Sequence, residues 1–296
     1  MILSTAMIVL NVVLAADGAQ VFPPELVEFV PYEQNPVFES AGPEHWDEMI
    51  RERGWILKED NLYHMWYTGY DSPKGPMKLG YATSPDGLTW TRYPGNPIYT
   101  EHWVEDMMVV KVGTTYYMFA EGLNDHAQLL MSNDRIHWTR QGELDIRKAN
   151  GEPISPGPFG TPTALYENGT WYLLYERDDD AIWLARSKDL KTWTNVQDDP
   201  VIKRGPEPYD RTMIAVNQVV KYQGRYYAYY HATCPENGND RWSMNVAASK
   251  DLIHWEKYLG NSIIKPDNSS GISVNDGKQF RLYCMHRAVS VFFPKK

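Results

Sequence analysis

The sequence predicts an all-β fold, a five-bladed β-propeller in a single domain, and three observations carry the prediction. A pattern S-x-D-x-x-x-W occurs at residues 84–90, 132–138, 187–193 and 249–255, so one supersecondary unit is built repeatedly. An aromatic-rich run precedes each copy, at 62–67, 115–120, 170–175 and 225–230, and a fifth lies at 280–285. Such runs, bounded by Gly, Asn and Asp, are strand signals, and no helical periodicity is sustained over the 296 residues.

The elements of the unit follow in chain order. A first apolar strand is joined to the aromatic one by a tight turn: 107–112 through Gly113-Thr114, 163–166 through Asn168-Gly169, and 217–222 through Gln223-Gly224. Asn-Gly is the strongest of these hairpin signals. A third strand, such as 78–83 or 182–187, runs into the S-x-D-x-x-x-W turn. The unit is therefore a three- or four-stranded antiparallel blade, and five of them make a propeller around a central channel. The repeated Asp is expected to satisfy turn N–H groups and the repeated Trp to pack between blades, which assigns the motif to architecture.

With 43% hydrophobic and 13% aromatic residues the chain can bury one large core, so residues 21–296 read as one domain. Its 38 acids against 29 bases, a net charge of −9, argue against nucleic acid or an anionic membrane as partner. Zinc-type Cys/His spacings, a phosphate loop and a nucleophile elbow are missing, so redox, phosphoryl-transfer and serine-hydrolase chemistry have little support. Residues 1–20 read as a signal peptide or N-terminal tether. The apolar stretch from Ile2 to Ala16 has the length of a signal-peptide core and is too short for a membrane span, although a basic leader is missing. A secreted or periplasmic protein is the expectation. Cys234 and Cys284 fall in equivalent parts of the last two blades, where one disulfide would fit.

Function depends on where the polar residues of the repeat converge. Aligned second strands end in the column Thr68, Glu121, Glu176, His231 and His286, the last four being 55 residues apart from one another in turn. The starts of first strands add Asp47, Glu105-Asp106 and Asp210 at the same end of the propeller. Converging carboxylates raise one another's pKa and burial raises it further, which is what a general acid needs at neutral pH. Glycoside hydrolysis uses two such groups, one protonated and one ionised. Trp46, Trp66 and Trp103 are candidates to stack on sugar rings, or else to pack between blades. Architectural alternatives pair Glu121 with Arg135 or Lys111, Glu176 with Arg177, and Asp210 with Arg211. Asp178-Asp179-Asp180 reads as a solvated loop, and Asn124-Asp125-His126 as a segment that could line the mouth.

The texts at 63–69, 79–90 and 93–98 resemble the five-bladed β-propeller glycosidases, the group holding glycoside hydrolase families 43, 32, 62, 117 and 130, over about residues 31–293. In families 32 and 43 the resemblance implies a first-blade acid as nucleophile or base, a second-blade Asp that stabilises the transition state, and a third-blade Glu as acid. Residues 159–165 of the third blade carry no acid at the strand start, a departure from that pattern. Glu176 could supply the proton instead, or His231 or His286 as in the family 117 type. His231 also resembles the funnel histidine that helps some family 43 members hold a calcium ion or water cluster, so a structural Ca2+ in the channel is implied while no cofactor is required.

The reading is thus an exported glycosidase acting on plant or algal polysaccharide or oligosaccharide. Asp47 is its base, Asp106 its orienting carboxylate and Glu176 its proton donor. Glu105, Glu121, Asp210, His231, His286, Trp46, Trp103 and Arg177 form the substrate shell. Two alternatives accompany it: a non-catalytic carbohydrate-binding propeller, and a family 130-like phosphorylase whose phosphate would be held by Arg51, Arg53, Arg177 and Arg211.

Overall fold

The computed structural model describes residues 21–296 apart from 73–74, 155–156, 158, 235–240 and 266. The expectation for residues 1–20 lies outside the described residues. Five antiparallel sheets follow one another along the chain, each a blade. The first runs from Met49–Ile50 and Trp55–Glu59 through Leu62–Tyr70 and Lys78–Ser84 to Thr91–Arg92. The second is Glu105–Val112, Thr115–Glu121, Ala127–Ser132 and Thr139–Glu143. The third is built on Gly160–Glu167, Thr170–Arg177, Ala181–Ser187 and Thr192–Asn195, with Asp145–Arg147 added in parallel at its edge and Ile202–Lys203 beside Ala181–Ser187. The fourth is Ile214–Tyr222, Arg225–Cys234, Arg241–Ser249 and Trp255–Lys257.

The fifth blade has three strands of its own, Gly271–Asn275, Phe280–His286 and Ala288–Pro294, and its outer place is filled by Phe29–Pro31 from the other end of the chain. This pairing, Phe29 to Pro294 and Pro31 to Phe292, ties the termini together and removes an open edge. The inner strands Trp55–Glu59, Glu105–Val112, Gly160–Glu167, Ile214–Tyr222 and Gly271–Asn275 contact one another in a closed ring, which defines the axis.

The repeat does what its residue types dictate. In each copy the Asp Oδ1 accepts the backbone N–H of the second and third residues after it: Leu88 and Thr89 for Asp86, Ile136 and His137 for Asp134, Lys191 and Thr192 for Asp189, Ile253 and His254 for Asp251. The residue directly after the Asp is left-handed every time: Gly87, Arg135, Leu190 and Leu252. Three of the Trp rings bridge neighbouring blades, with centroid distances of 6.5 Å from Trp90 to Tyr283, 6.1 Å from Trp138 to Trp66 and 5.8 Å from Trp193 to Phe119. Such edge-to-face packing between blades is what large aromatics supply.

Cys284 is a free thiol buried in the core beneath the fourth and fifth blades, while the side chain of Cys234, its expected partner, lies outside the described residues. Among the described residues no helix is long and apolar enough to cross a membrane.

Candidate active site

Five inner strands start at one mouth, and what they present there depends on local breaks in the ladder. In the second blade Glu105 pairs with Glu121 before a bulge ahead of Met108; in the third Gly160 pairs with Glu176 before a bulge ahead of Thr163. The fourth has its irregularity between Val216 and Gln218, around Asn217. Bulges add a residue to one strand and re-aim its side chains. Asp106 and Thr161, within the first two, are left-handed, with φ of 47° and 41°.

Gly160 explains why the third blade has no acid at its strand start. A Cβ there would lie 1.8 Å from Glu176 Oε1 and 2.8 Å from Glu121 Oε1, so the place is taken by one carboxylate of the same blade and one of the second blade. Glu121 accepts a hydrogen bond from the Thr161 N–H, and Glu176 Oε2 accepts one from the Asp179 N–H at 2.7 Å. Glu105 is held from two sides, by Arg51 Nε at 2.7 Å and the Trp103 indole N–H at 2.6 Å. Glu105, Asp106, Glu121 and Glu176 are all buried.

The first blade contributes one residue that the sequence reading passed over, Glu52. Between Met49–Ile50 and Trp55–Glu59 the chain leaves the ladder at Arg51-Glu52-Arg53, and Glu52 Oε2 lies 3.0 Å from His286 Nδ1. The same nitrogen lies 3.0 Å from Ser269 Oγ. In the fourth blade Asn217 Nδ2 donates to His231 Nδ1 at 2.8 Å, and Trp242 meets the His231 ring edge-on at 4.5 Å.

This crowding separates the proton affinities. Burial, reinforced by Asp179, pushes the Glu176 carboxyl up to about 8. Burial likewise holds Asp106 and Glu121 well above the ordinary carboxylate value, with Glu52 adding to the first and Asp106 to the second. Asp179 rises to about 6 through burial and the nearby Asp125. For Glu52 burial acts in the same direction, but the hydrogen bond from His286 and the neighbouring His231 and Arg51 outweigh it and bring the group down to about 2. Burial lowers His231 to about 4, so its ring is neutral, accepts at Nδ1 from Asn217 and carries its proton on Nε2.

Of the residues singled out from sequence, the structure brings together Glu105, Asp106, Glu121, Glu176, His231, His286 and Trp103. It does not bring Asp47 and Asp210 to them. Asp47 accepts from Tyr67 Oη at 3.0 Å and pairs with Arg92 Nε at 2.9 Å, while Asp210 accepts from Tyr230 Oη at 3.4 Å and pairs with Lys257 Nζ. The two acids are equivalent, as their spacing implied, and both brace their own blade through an outer-strand cation. Trp46 lies on the face of the first blade left bare by Gly69 and Gly80, tilted against Tyr67 at 5.7 Å. Trp66 is fully buried between blades, and Thr68 donates to the Val104 carbonyl of the second blade.

Arg177 is spread between Phe159 and Trp183, at 5.7 and 5.8 Å from their ring centroids. Arg53 is fully buried, with its guanidinium spent on backbone carbonyls and Thr163, and so is withdrawn from the phosphate cluster considered above. Asp179, read as part of a solvated loop, is half-buried beside Glu176, and Asp125 stands exposed at the lip. Glu105, Glu121 and Asp125 bring one oxygen each within 4.8 Å of one another, a donor set suited to a hard cation such as Ca2+, although Arg51 already neutralises Glu105.

No family model matches the chain. Its sequence is similar to that of a 1,2-beta-oligomannan phosphorylase of Thermoanaerobacter sp. (strain X514), with 25% identity over 222 residues that span 68% of this chain and 71% of that protein. Its fold is similar to that of a glycosyl hydrolase from Bacteroides ovatus, with TM-score 0.75 and 14% identity over 89% of this chain and 92% of the other. It is also similar to that of the beta-1,2-mannobiose phosphorylase from Listeria innocua, solved with beta-1,2-mannobiose, with TM-score 0.68 and 15% identity over 89% and 95% of the two chains. The chain thus shares its propeller fold with both of these proteins.

What sequence reasoning missed in this propeller was Glu52. Its signal was available: the text Arg51-Glu52-Arg53-Gly54 interrupts an apolar strand with three charges.

Proposed function

We propose that this propeller hydrolyses a glycosidic bond at its axial mouth. Glu176 is the proton donor, and Glu52 replaces Asp47 as the ionised first-blade carboxylate that acts as base. The observation that carries the reading is the contrast in surroundings of two mouth carboxyls: Glu176 is buried in the Gly160 gap beside Asp179, which pushes it up to about 8, and Glu52 lies 3.0 Å from His286, which brings it down to about 2. Two titratable groups driven apart by their surroundings are the mark of an acid and base pair. Asp106 and Glu121, buried between them in the sequence of blades, hold the substrate hydroxyls. Trp103 and Trp242 supply apolar faces for a sugar ring. No cofactor enters the reaction, and export of the chain remains part of the proposal.

The similarity to mannoside-active proteins supports β-linked mannosides as the first substrates to try, ahead of other plant and algal oligosaccharides. The same similarity favours a second reading, phosphorolysis, in which inorganic phosphate replaces water. The local charge speaks for water: Arg51 is held by Glu105, Arg53 is sealed below, and a phosphate dianion would approach Glu52, Glu105, Asp125 and Asp179.

A release assay on β-mannosides and a plant and algal panel, with and without phosphate, tests both readings. Phosphate-independent release that Glu176→Gln abolishes is expected. Release that requires phosphate would replace hydrolysis by phosphorolysis, and binding without release would leave a carbohydrate-binding propeller.

A further inference from the structure

Arg53 touches all five blades. It belongs to the first, and its backbone N–H donates to the Met285 carbonyl of the fifth at 2.8 Å. Its Nη1 donates to the Asp106 carbonyl of the second blade at 2.5 Å. Its Nη2 donates to the Pro162 carbonyl and Thr163 Oγ1 of the third at 2.9 and 2.8 Å, and reaches the Asn217 carbonyl of the fourth at 3.4 Å. The side chain is fully buried.

The three carbonyls have something in common. Asp106, Pro162 and Asn217 each sit in the irregularity of their inner strand, at the breaks between Glu105 and Met108, Gly160 and Thr163, and Val216 and Gln218. A bulge leaves backbone groups without a ladder partner, and a buried carbonyl needs a donor. One planar guanidinium, with five N–H groups in a fixed fork, serves all three, which a lysine ammonium on a flexible stem would not do. Those same bulges aim the side chains above them. The first carries Asp106, the second carries the Thr161 N–H that holds Glu121 and leaves the Gly160 gap that Glu176 fills, and the third carries the Asn217 amide that holds His231.

We infer that Arg53 is the positioning residue of the site: by capping the three bulges from below it fixes where Asp106, Glu121, Glu176 and His231 stand at the mouth. It touches no reacting atom. Asp106, Glu121 and Glu176 are the carboxylates whose charge reaches it, so it also tempers their mutual repulsion. The inference rests on the hydrolytic reading only for its kinetic arm.

The experiment compares Arg53→Lys, Arg53→Met and Thr163→Val with wild type. Thr163→Val removes one acceptor of Arg53 and leaves the arginine and every carboxylate in place. The first readout is the titration of Glu176 by 13C-carboxyl NMR of glutamate-labelled protein, assigned through the resonance lost in Glu176→Gln. The second is kcat and KM across pH. Loss of the charge in Arg53→Met should move the Glu176 titration upward. Arg53→Lys should lower kcat by about a hundredfold with KM nearly unchanged, as expected for misplaced groups. Thr163→Val should lower kcat roughly fivefold, the worth of one hydrogen bond.

If Arg53→Met does not fold, Arg53→Lys and Thr163→Val decide the matter. Folded variants in which Glu176 titrates as in wild type and kcat is unchanged overturn the inference. A titration that moves while wild type cleaves no glycoside would uphold the positioning role and reject the hydrolytic reading.

Discussion

Glu176 and Gly160 face each other across the third-blade hairpin, and the carboxylate occupies the space in which a side chain at 160 would begin. The 1.8 Å between a Cβ there and Glu176 Oε1 is closer than any real contact, but the colliding atom is the end of a rotatable side chain. Gly160→Ala should therefore fold normally, turn Glu176 out of place and lower turnover by about a hundredfold. Thermal melting together with kcat checks both halves, and a variant that melts early would show that the glycine serves the backbone instead.

The raised carboxyl of Glu176 links stability to pH. The folded state keeps its proton up to about 8 while the unfolded chain loses it near 4.5, so this group stabilises the fold at low pH and that contribution is lost as pH rises from about 4.5 to 8. Urea midpoints across that window should fall less steeply in Glu176→Gln than in wild type. The alkaline limb of kcat/KM should lie near 8 in wild type, because the proton donor of the free enzyme is lost there.

Glu52 has the opposite sign. Its carboxyl is ionised down to about 2 in the fold and titrates near 4.5 when unfolded, so its stabilisation is present above 4.5 and lost as pH falls towards 2. Glu52→Ala should reduce turnover at least a hundredfold. Added formate, a small carboxylate able to enter the space left, should restore part of it. A full rate without formate would return the base to another residue.

Asp47 and Asp210 should separate stability from activity. Each is a buried carboxylate on an outer-strand cation, with side-chain exposures of 2% and 0%. Removing one partner of a buried pair costs about 3 kcal/mol. Asp47→Asn and Asp210→Asn are expected to lower the unfolding free energy by about that much in urea titrations, with kcat of the folded protein near wild type. A hundredfold loss of kcat in either would restore it to the site.

The fold was legible because a propeller writes its period into the chain. The S-x-D-x-x-x-W turns needed only local hydrogen bonds, from the Thr89 N–H to Asp86 or from the His254 N–H to Asp251, and local bonds are readable from local text. The column of Glu121, Glu176, His231 and His286 was readable for the same reason, since alternation along paired strands carries equivalent residues to one end. Gly160 was legible only as a missing acid, because what fills its place comes from a strand ten or more residues away and from another blade.

The sequence by itself determined five blades, their order, the mouth at which the second strands end, and the equivalence of Asp47 with Asp210. Which acids face the axis was decided only in three dimensions. At strand starts the direction of a side chain depends on bulges and on left-handed residues such as Arg53, Asp106 and Thr161, whose φ values are 51°, 47° and 41°. Those conformations are held by contacts with other blades, above all by the Arg53 guanidinium. Spacing along the chain therefore located the rim, while contacts between blades place Glu52 against His286 and leave Asp47 on Tyr67 and Arg92 of its own blade.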